Sequence, residues 1–494
     1  MAGCIFSGYL LRLCFPQPGL WLLTWIALVP WWRSLNGVDG FGRFCLSGVA
    51  GLVFFGSALF WLTDQTWVGY TACVLYCAFF FAGFGWLGPA AEDAHGFIRV
   101  LRPACVWVVL EYFRGAGFPG GGWAGIGYSQ APFLPLIHIA SWVGVWGVSF
   151  CVVTVNIGIA ELTLNAGMRF RTKVGIAILG GVLGCMILSG AVLLQAKREE
   201  TSSEHLKILA IQANIPPQDK WLDLSPDWVL SRYVQQTSLA LSERSKEKEP
   251  IDLILWPETA LPEDPSQEMP LGIRLQRFVS LIQIPLLTGT IRWAYGPWGE
   301  LGDFYYNAAY LYSRDGALLG WVAKRHLIPF VEYLPLEKHF RILRQVFTHH
   351  GYYVPGGEDG MLAGLGLLIC VEDWLPSLAR RRVAQGACAL VVLTDDGWFH
   401  GPDELLQHLQ GSVLRAVETG RAVVRVANTG VSCLILPSGK IQKIIRNDTA
   451  GSLSVNLPLY HGRTLYQNMG DVWVGLCGLL WGLSAALDRF RARA

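Results

Sequence analysis

The stretch GLGLLICVEDWLP (364–376) reads as a buried strand that stops at a thiol. An apolar run of strand length ends on Cys370, and polar residues, a proline and an amphipathic segment over 375–387 follow. Such a strand-to-helix elbow exposes its tip residue. It also sets that residue beside a helix N-terminus, where backbone N–H groups favour a thiolate or an oxyanion. A free cysteine is more often a small buried hydrophobe, so this stretch alone does not decide between packing and nucleophilic chemistry.

Two neighbouring segments supply what a nucleophilic thiol would need. In LILWPETALP (253–262) a buried-type strand ends at Glu258, a half-sheltered carboxylate of the kind whose pKa rises toward that of a working general base. Its bland alternative is a helix or turn cap. In KRHLIPFVEYLP (324–335) the prolines predict irregular backbone carrying Lys324 and Glu332. A lysine fixed in a dry site can stabilise the oxyanion of a tetrahedral intermediate, although most lysines are solvated.

Around these segments the pattern is strand, turn, helix, repeated. Strands are expected at 207–214, 251–256, 285–290, 307–313, 364–370 and 389–394, and helices at 227–243, 271–282, 375–387 and 403–420. Alternation of this kind predicts a layered α/β domain with its chemistry at strand ends. The rest of the chain is different. Of its 494 residues 52% are hydrophobic and only 15% charged, where soluble domains carry about 25% charge. A bilayer core of about 30 Å takes roughly 20 apolar residues per helix. Candidate spans lie near 44–62, 67–88, 136–162, 174–194 and 472–487, with weaker ones near 4–15, 19–32 and 98–113. The expected organisation is a transmembrane bundle of about seven helices over 1–195, a soluble domain over 196–465, and a last helix with a short tail over 466–494.

Basic residues set the orientation, because short Lys/Arg-rich loops stay in the cytoplasm. Arg33, Arg43, Arg99, Arg102, Arg169, Arg171, Lys173 and the arginines of the tail fall on one side when the N-terminus is cytoplasmic. Seven preceding helices then put the soluble domain outside. The net charge of +2 comes without a basic stripe, so nucleic acid is not an expected partner. Of 12 cysteines only Cys370, Cys388 and Cys433 lie in the polar part, and none forms a CxxC pair. Neither a zinc site nor a disulfide framework is expected, and no metal or other cofactor.

Glu258, Lys324 and Cys370 in this order and context, with LTDDGWF (393–399) and the helix-into-strand RAVETGRAVVRVANTG (415–430), resemble the nitrilase or carbon–nitrogen hydrolase superfamily. The membrane half is similar to the bacterial apolipoprotein N-acyltransferases in FPQPG (15–19), WIALVPWW (25–32), EYFRGAGFPGGGWAGIGYSQ (111–130) and IHIASWVGVWGVSF (137–150). The resemblance implies an αββα sandwich inserted in a helical bundle of the bacterial inner membrane, with the catalytic domain on the periplasmic side. It implies transfer of an acyl chain from a membrane phospholipid, through a cysteine thioester, to the α-amine of S-diacylglyceryl-cysteine lipoproteins, the third step of their maturation.

By the same resemblance Glu258 is the base, Lys324 the oxyanion cation and Cys370 the nucleophile. Glu332, Glu372 and Asn307 support them, and Trp221 and Trp398 are aromatic loop residues near substrate. The partners it implies are the phospholipid donor, the diacylated apolipoprotein acceptor and the bilayer, with the enzyme acting as a monomer. Two departures stand out: Val371 where the family often has tyrosine, and Asp395 where it usually has asparagine. Segments 291–298 and 347–354 are expected to form apolar lids. The rival readings are a membrane-anchored amidase or nitrilase, which would share the three residues, and a receptor or transporter whose outer domain only binds ligand.

Overall fold

The computed structural model describes residues 1–89, 96–116, 122–164, 204–244, 250–265, 270–295, 301–329, 331–334, 353–399 and 401–491, with isolated positions between 180 and 190. Among the described residues four helices are long and apolar enough to cross a membrane: Gly40–Ala58, Trp67–Leu87, Val145–Leu164 and Val472–Phe490. The first two start at side-chain caps, Asp39 accepting from the Gly42 N–H and Thr66 from the Gly69 N–H, which satisfies donors that a bilayer could not. They pack through small residues. A Cβ on Gly85 would stand 1.9 Å from the Ser47 hydroxyl, and one on Gly51 2.9 Å from the Phe81 side chain, so glycine is what lets the backbones approach.

Helices Ala2–Cys14 and Gly96–Ala116 stand at the weaker spans near 4–15 and 98–113, while two other expected spans differ from the sequence reading. The stretch near 19–32 is a 3-10 turn Trp21–Trp25 and a short helix Val29–Ser34, because Pro18, Gly19 and Pro30 interrupt it. The stretch over 136–162 is broken at Gly144, whose φ of 71° ends the turn Ala140–Val143, and the long helix begins at Val145. The helix Ala2–Cys14 is too short to span alone, and Gly96–Ala116 carries Pro103 and three arginines. The span expected at 174–194 falls outside the described residues except for isolated positions.

Among the described residues twelve strands follow: β1 His205–Gln212, β2 Leu253–Leu261, β3 Leu286–Tyr295, β4 Leu301–Tyr312, β5 Leu318–Ala323, β6 Met361–Leu362, β7 Leu365–Ile369, β8 Ala389–Thr394, β9 Val423–Ala427, β10 Ser432–Ile435, β11 Ile441–Ile445 and β12 Gly451–Pro458. They form two six-stranded sheets, in the orders β12-β1-β2-β3-β4-β5 and β11-β10-β9-β8-β7-β6. In each sheet three consecutive strands are parallel, β1-β2-β3 and β7-β8-β9. Parallel neighbours need crossovers, and helices Pro226–Arg244, Pro270–Ile282, Pro376–Ala384 and Pro402–Thr419 supply them.

The sheets face each other across a core that joins Ile208, Leu253, Leu255 and Leu287 to Leu367, Ile369, Val391 and Leu393. One outer face is covered by Val229, Tyr233, Leu275 and Phe278 of the first two crossover helices. The other is covered by Ala379, Val383, Leu409 and Val413, and that cluster runs without a break into Trp31, Phe54 and Val148 of the apolar bundle. This is an αββα sandwich with one helix layer seated on the bundle. Polar ties cross the junction: Arg12 to Asp403 at 2.6 Å, the Val145 N–H to Glu418 Oε1 at 2.8 Å, and Gln407 Nε2 to the Ala58 carbonyl at 3.0 Å.

Candidate active site

The carboxyl ends of parallel strands β2, β7 and β8 converge, and each delivers a polar group. Cys370 follows β7 directly and opens the 3-10 turn Cys370–Trp374, with the α-helix starting only at Pro376. Its φ of 55° is left-handed, a conformation that costs a non-glycine residue of order 1–3 kcal/mol and persists only where the surroundings enforce it. Glu372 does part of that. Its Oε2 accepts from the Ile369 N–H at 2.8 Å, and its Oε1 accepts from the Arg325 and His326 N–H groups at 2.7 and 3.1 Å. One buried carboxylate thus locks the elbow to the lysine segment.

Glu258 lies inside β2, past a register shift between Trp256 and Leu261, and Thr259 beside it has φ 43°. The sequence reading ended this strand at 256. In the structure it continues through the carboxylate, because the irregularity turns Glu258 inward without ending the pairing. Both oxygens are held: Asn307 Nδ2, from β4, donates to Oε1 at 2.6 Å, and the Asp395 N–H donates to Oε2 at 2.7 Å. Lys324, fully buried, stands 2.8 Å from Glu332 Oε1 and 4.0 Å from Glu258 Oε1. Glu332 Oε2 in turn accepts from the Ile328 N–H at 2.7 Å.

The electrostatics follow from two acids, one cation and a thiol in a space closed to water. Burial raises the Glu258 pKa above the ordinary carboxylate range, Lys324 opposing and Glu332 reinforcing. Burial would lower Lys324, but the charges of Cys370, Glu332 and Glu258 outweigh it and the lysine is held firmly protonated. Burial, then Glu258, pushes the Cys370 thiol well up. The resting site is therefore a neutral thiol beside a basic carboxylate and a fixed ammonium. Such a set can remove a proton from sulfur as sulfur attacks, and neutralise an oxyanion as it forms.

Asn307, Glu332 and Glu372 thus join Glu258, Lys324 and Cys370 in one buried constellation. Trp221 and Trp398 lie further out. Trp398 is 38% exposed and its carbonyl accepts from Gln65 Nε2 of the bundle at 2.6 Å, while the Phe399 ring meets Trp61 at 4.9 Å. Trp221 borders the site through Lys220, whose Nζ is 6.0 Å from its ring centre. Of the expected lids, Ile291–Tyr295 belongs to β3 and pairs with β4, since its alternating branched and aromatic residues suit a strand. Residues 296–298 and 347–352 lie outside the described residues. Tyr353 and Val354 dock against the site wall, their N–H groups donating to the carbonyls of Glu332 and Tyr305.

The sequence reading does not single out Lys220, although it stands beside Trp221 in the stretch IQANIPPQDKW (211–221). It is fully buried, ion-paired with Asp395 and bonded to Thr259 Oγ1 at 3.2 Å. It answers the charge of Asp395, whose N–H binds Glu258, and it bonds Thr259, the next residue after Glu258. Asp395→Asn should therefore destabilise the fold by about 3–5 kcal/mol, because it strands a buried ammonium. The double variant with Lys220→Met should recover most of that loss in thermal or denaturant unfolding. Additive losses would show that the two side chains do not act as a pair.

Comparison with known proteins adds an independent line. A family model described as the apolipoprotein N-acyltransferase N-terminal domain matches residues 7–158, and a carbon-nitrogen hydrolase model matches residues 208–464. The chain is 30% identical over 497 residues to the apolipoprotein N-acyltransferase of Geobacter metallireducens, covering 96% of this chain and 92% of the relative. With that of Chlorobaculum tepidum it shares 30% identity over 527 residues, covering 99% and 96%. Among solved structures, an amidase from Nesterenkonia sp. overlays with a TM-score of 0.38 at 21% identity, covering 53% of this chain and 93% of that one.

Proposed function

Since this chain, a membrane protein, belongs to the apolipoprotein N-acyltransferase family, we propose that Cys370 carries the acyl group it transfers, with Glu258 as base and Lys324 as oxyanion cation. The observation that carries this reading is the convergence of these three buried side chains at the ends of β2 and β7 and in the segment after β5. In the first half-reaction Glu258 takes the Cys370 proton while sulfur attacks the ester carbonyl of a membrane phospholipid. The tetrahedral oxyanion forms beside Lys324. As it collapses the C–O bond breaks, Glu258 returns the proton to the departing alkoxide, and a lysophospholipid leaves a thioester behind.

In the second half-reaction the α-amine of an S-diacylglyceryl-cysteine lipoprotein attacks the thioester. Glu258 receives the amine proton, the C–S bond breaks, and the proton passes to the released sulfur. Glu332 and Glu372 hold the lysine and the elbow, Asn307 orients Glu258, and Trp221 and Trp398 border the path of the substrates. Both substrates are lipids, which is the reason to seat the helix layer of the sandwich on an apolar bundle. The arginine distribution supports a cytoplasmic N-terminus in the bacterial inner membrane. It also supports a periplasmic domain spanning about residues 196–465 between a bundle over 1–195 and a last helix in 466–494. The enzyme would act as a monomer.

Intact-mass spectrometry after incubation with phospholipid tests the scheme. Wild type should gain an acyl-sized mass that a diacylated lipopeptide discharges onto its own amine, and Cys370→Ala should gain none. An adduct discharged equally fast by water would make the protein a hydrolase. No adduct on wild type would leave Cys370 without a covalent role.

A further inference from the structure

Against the Cys370 carbonyl lies a second charged cluster that the acyl-transfer scheme does not use. His408 sits at its centre, fully buried on the helix Pro402–Thr419. Its Nε2 is 3.2 Å from the Cys370 carbonyl oxygen and 2.9 Å from Asp373 Oδ1. Its Nδ1 is 3.0 Å from Asp396 Oδ1 and 3.4 Å from Glu404 Oε1. Nε2 faces only oxygen acceptors and so carries a proton, whereas Nδ1 also meets the Arg425 guanidinium. Arg425 closes the ring of charges, 3.1 Å from Asp373 and 2.8 Å from Asp396. Asp396, Glu404 and His408 have the residue types of a metal site, yet Arg425 already places its cation among them, with NH2 2.9 Å from His408 Nδ1.

The cluster is anchored on both sides. Trp374, four residues past the nucleophile, stacks on Trp123 of the membrane half with ring centres 4.3 Å apart, and Trp123 lies 5.8 Å from the His408 ring. Ser412 and Arg425 hold Asp373, while Thr394 Oγ1 holds Asp396 at 2.6 Å. His408 thus has no free rotamer, and its Nε2–H is aimed at the carbonyl of a residue in a strained backbone conformation.

We propose that His408 is a positioning residue for the nucleophile, its Nε2–H holding the Cys370 carbonyl so that the elbow keeps the left-handed backbone from which sulfur reacts. Glu372 accepts from N–H groups around the elbow, and His408 meets its carbonyl. A displacement of about 1 Å at a reacting atom can cost on the order of 100-fold in rate, so releasing one of the two grips should appear in the chemical step and not in substrate binding.

The inference rests on the acyl-transfer reading, and the test separates the two. Full-length His408→Gln, His408→Asn and His408→Met are compared with wild type in phospholipid nanodiscs by the rate at which intact mass records the acyl-enzyme. A glutamine amide reaches the place of Nε2 and keeps the donor to Cys370. Asparagine ends near Nδ1 and keeps only the Asp396 side. Methionine reaches as far as glutamine but cannot donate, which gives a second comparison should the asparagine chain not fold. The Asn and Met variants should acylate about 10–100-fold more slowly with phospholipid KM within about twofold of wild type, and Gln should stay within about fivefold. Equal losses in Gln and Met, or a loss confined to KM, would overturn the role of His408. Wild type forming no acyl-enzyme would instead overturn the acyl-transfer reading, and this inference with it.

Discussion

Glu258→Gln is expected to slow formation of the acyl-enzyme by about 10²–10⁴-fold, the range that a positioned general base contributes. The substitution keeps the shape of the side chain but removes the group able to take a proton from Cys370. It also sets an amide N–H against one of two donors, Asn307 Nδ2 or the Asp395 N–H, that now face carboxylate oxygens at 2.6 and 2.7 Å. The pH dependence gives a sharper signature. Glu258 works as a carboxylate, and burial raises its pKa. Acylation by wild type should therefore be slow where Glu258 is protonated, rise with pH through that elevated pKa, and level off above it. The glutamine variant should lack this limb. The measurement is the single-turnover acylation rate against pH, and a limb that survived in the glutamine variant would assign the base to another group.

Lys324→Met should cost both rate and stability. The lysine is fully buried, 2.8 Å from Glu332 and 4.0 Å from Glu258. Removing a preorganised oxyanion partner typically lowers kcat by about 10²–10³-fold, and leaving buried carboxylates without their cation costs about 3–5 kcal/mol. Lys324→Arg should not restore activity, since a planar fork cannot occupy the place of a compact ammonium between two carboxylates. The sign of the pH effect follows from the raised pKa of the folded state. The contribution of the lysine to stability is fully present below the ordinary lysine pKa and is lost only in strongly alkaline solution as pH rises through the folded value. A methionine variant that unfolded at the wild-type temperature with an unchanged kcat would remove Lys324 from both roles.

The three side chains that converge in the candidate site were legible because each sits where a local pattern breaks: Cys370 where an apolar run stops, Glu258 where a strand meets Pro257, Lys324 in a proline-broken segment. β8 was read at its observed bounds for the same reason, a clean apolar run between polar ends. What local pattern does not encode is which face of a helix meets a third layer. In Pro402–Thr419 the residues Glu404, Gln407, His408, Ser412, Arg415 and Glu418 look like a solvated stripe, yet all are buried, because the sandwich meets His408 and Ser412 while the bundle meets Gln407, Arg415 and Glu418. Lys220, Arg425 and the His408 cluster were missed on that account: their partners lie far along the chain. In the membrane half, apolar composition does not reveal a break such as Gly144, where a left-handed φ ends one turn, so the span read at 136–162 becomes a long helix that starts only at Val145.

On the helix Pro402–Thr419 two adjacent residues report in opposite directions. Gln407 donates to the carbonyl of Ala58, the last residue of an apolar membrane helix, and His408 meets the carbonyl of Cys370. A single peptide unit therefore separates the contact with the apolar bundle from the contact with the Cys370 backbone. Such a linkage behaves as a strain gauge. Stretching or thinning the surrounding bilayer, which tilts membrane helices at a cost of fractions of a kcal/mol per ångström, would be felt as a change in turnover before any change in folding. Acylation rates in bilayers of graded chain length, set against the melting temperature in each, would display the enzyme as a gauge of membrane thickness, or show that the linkage is slack.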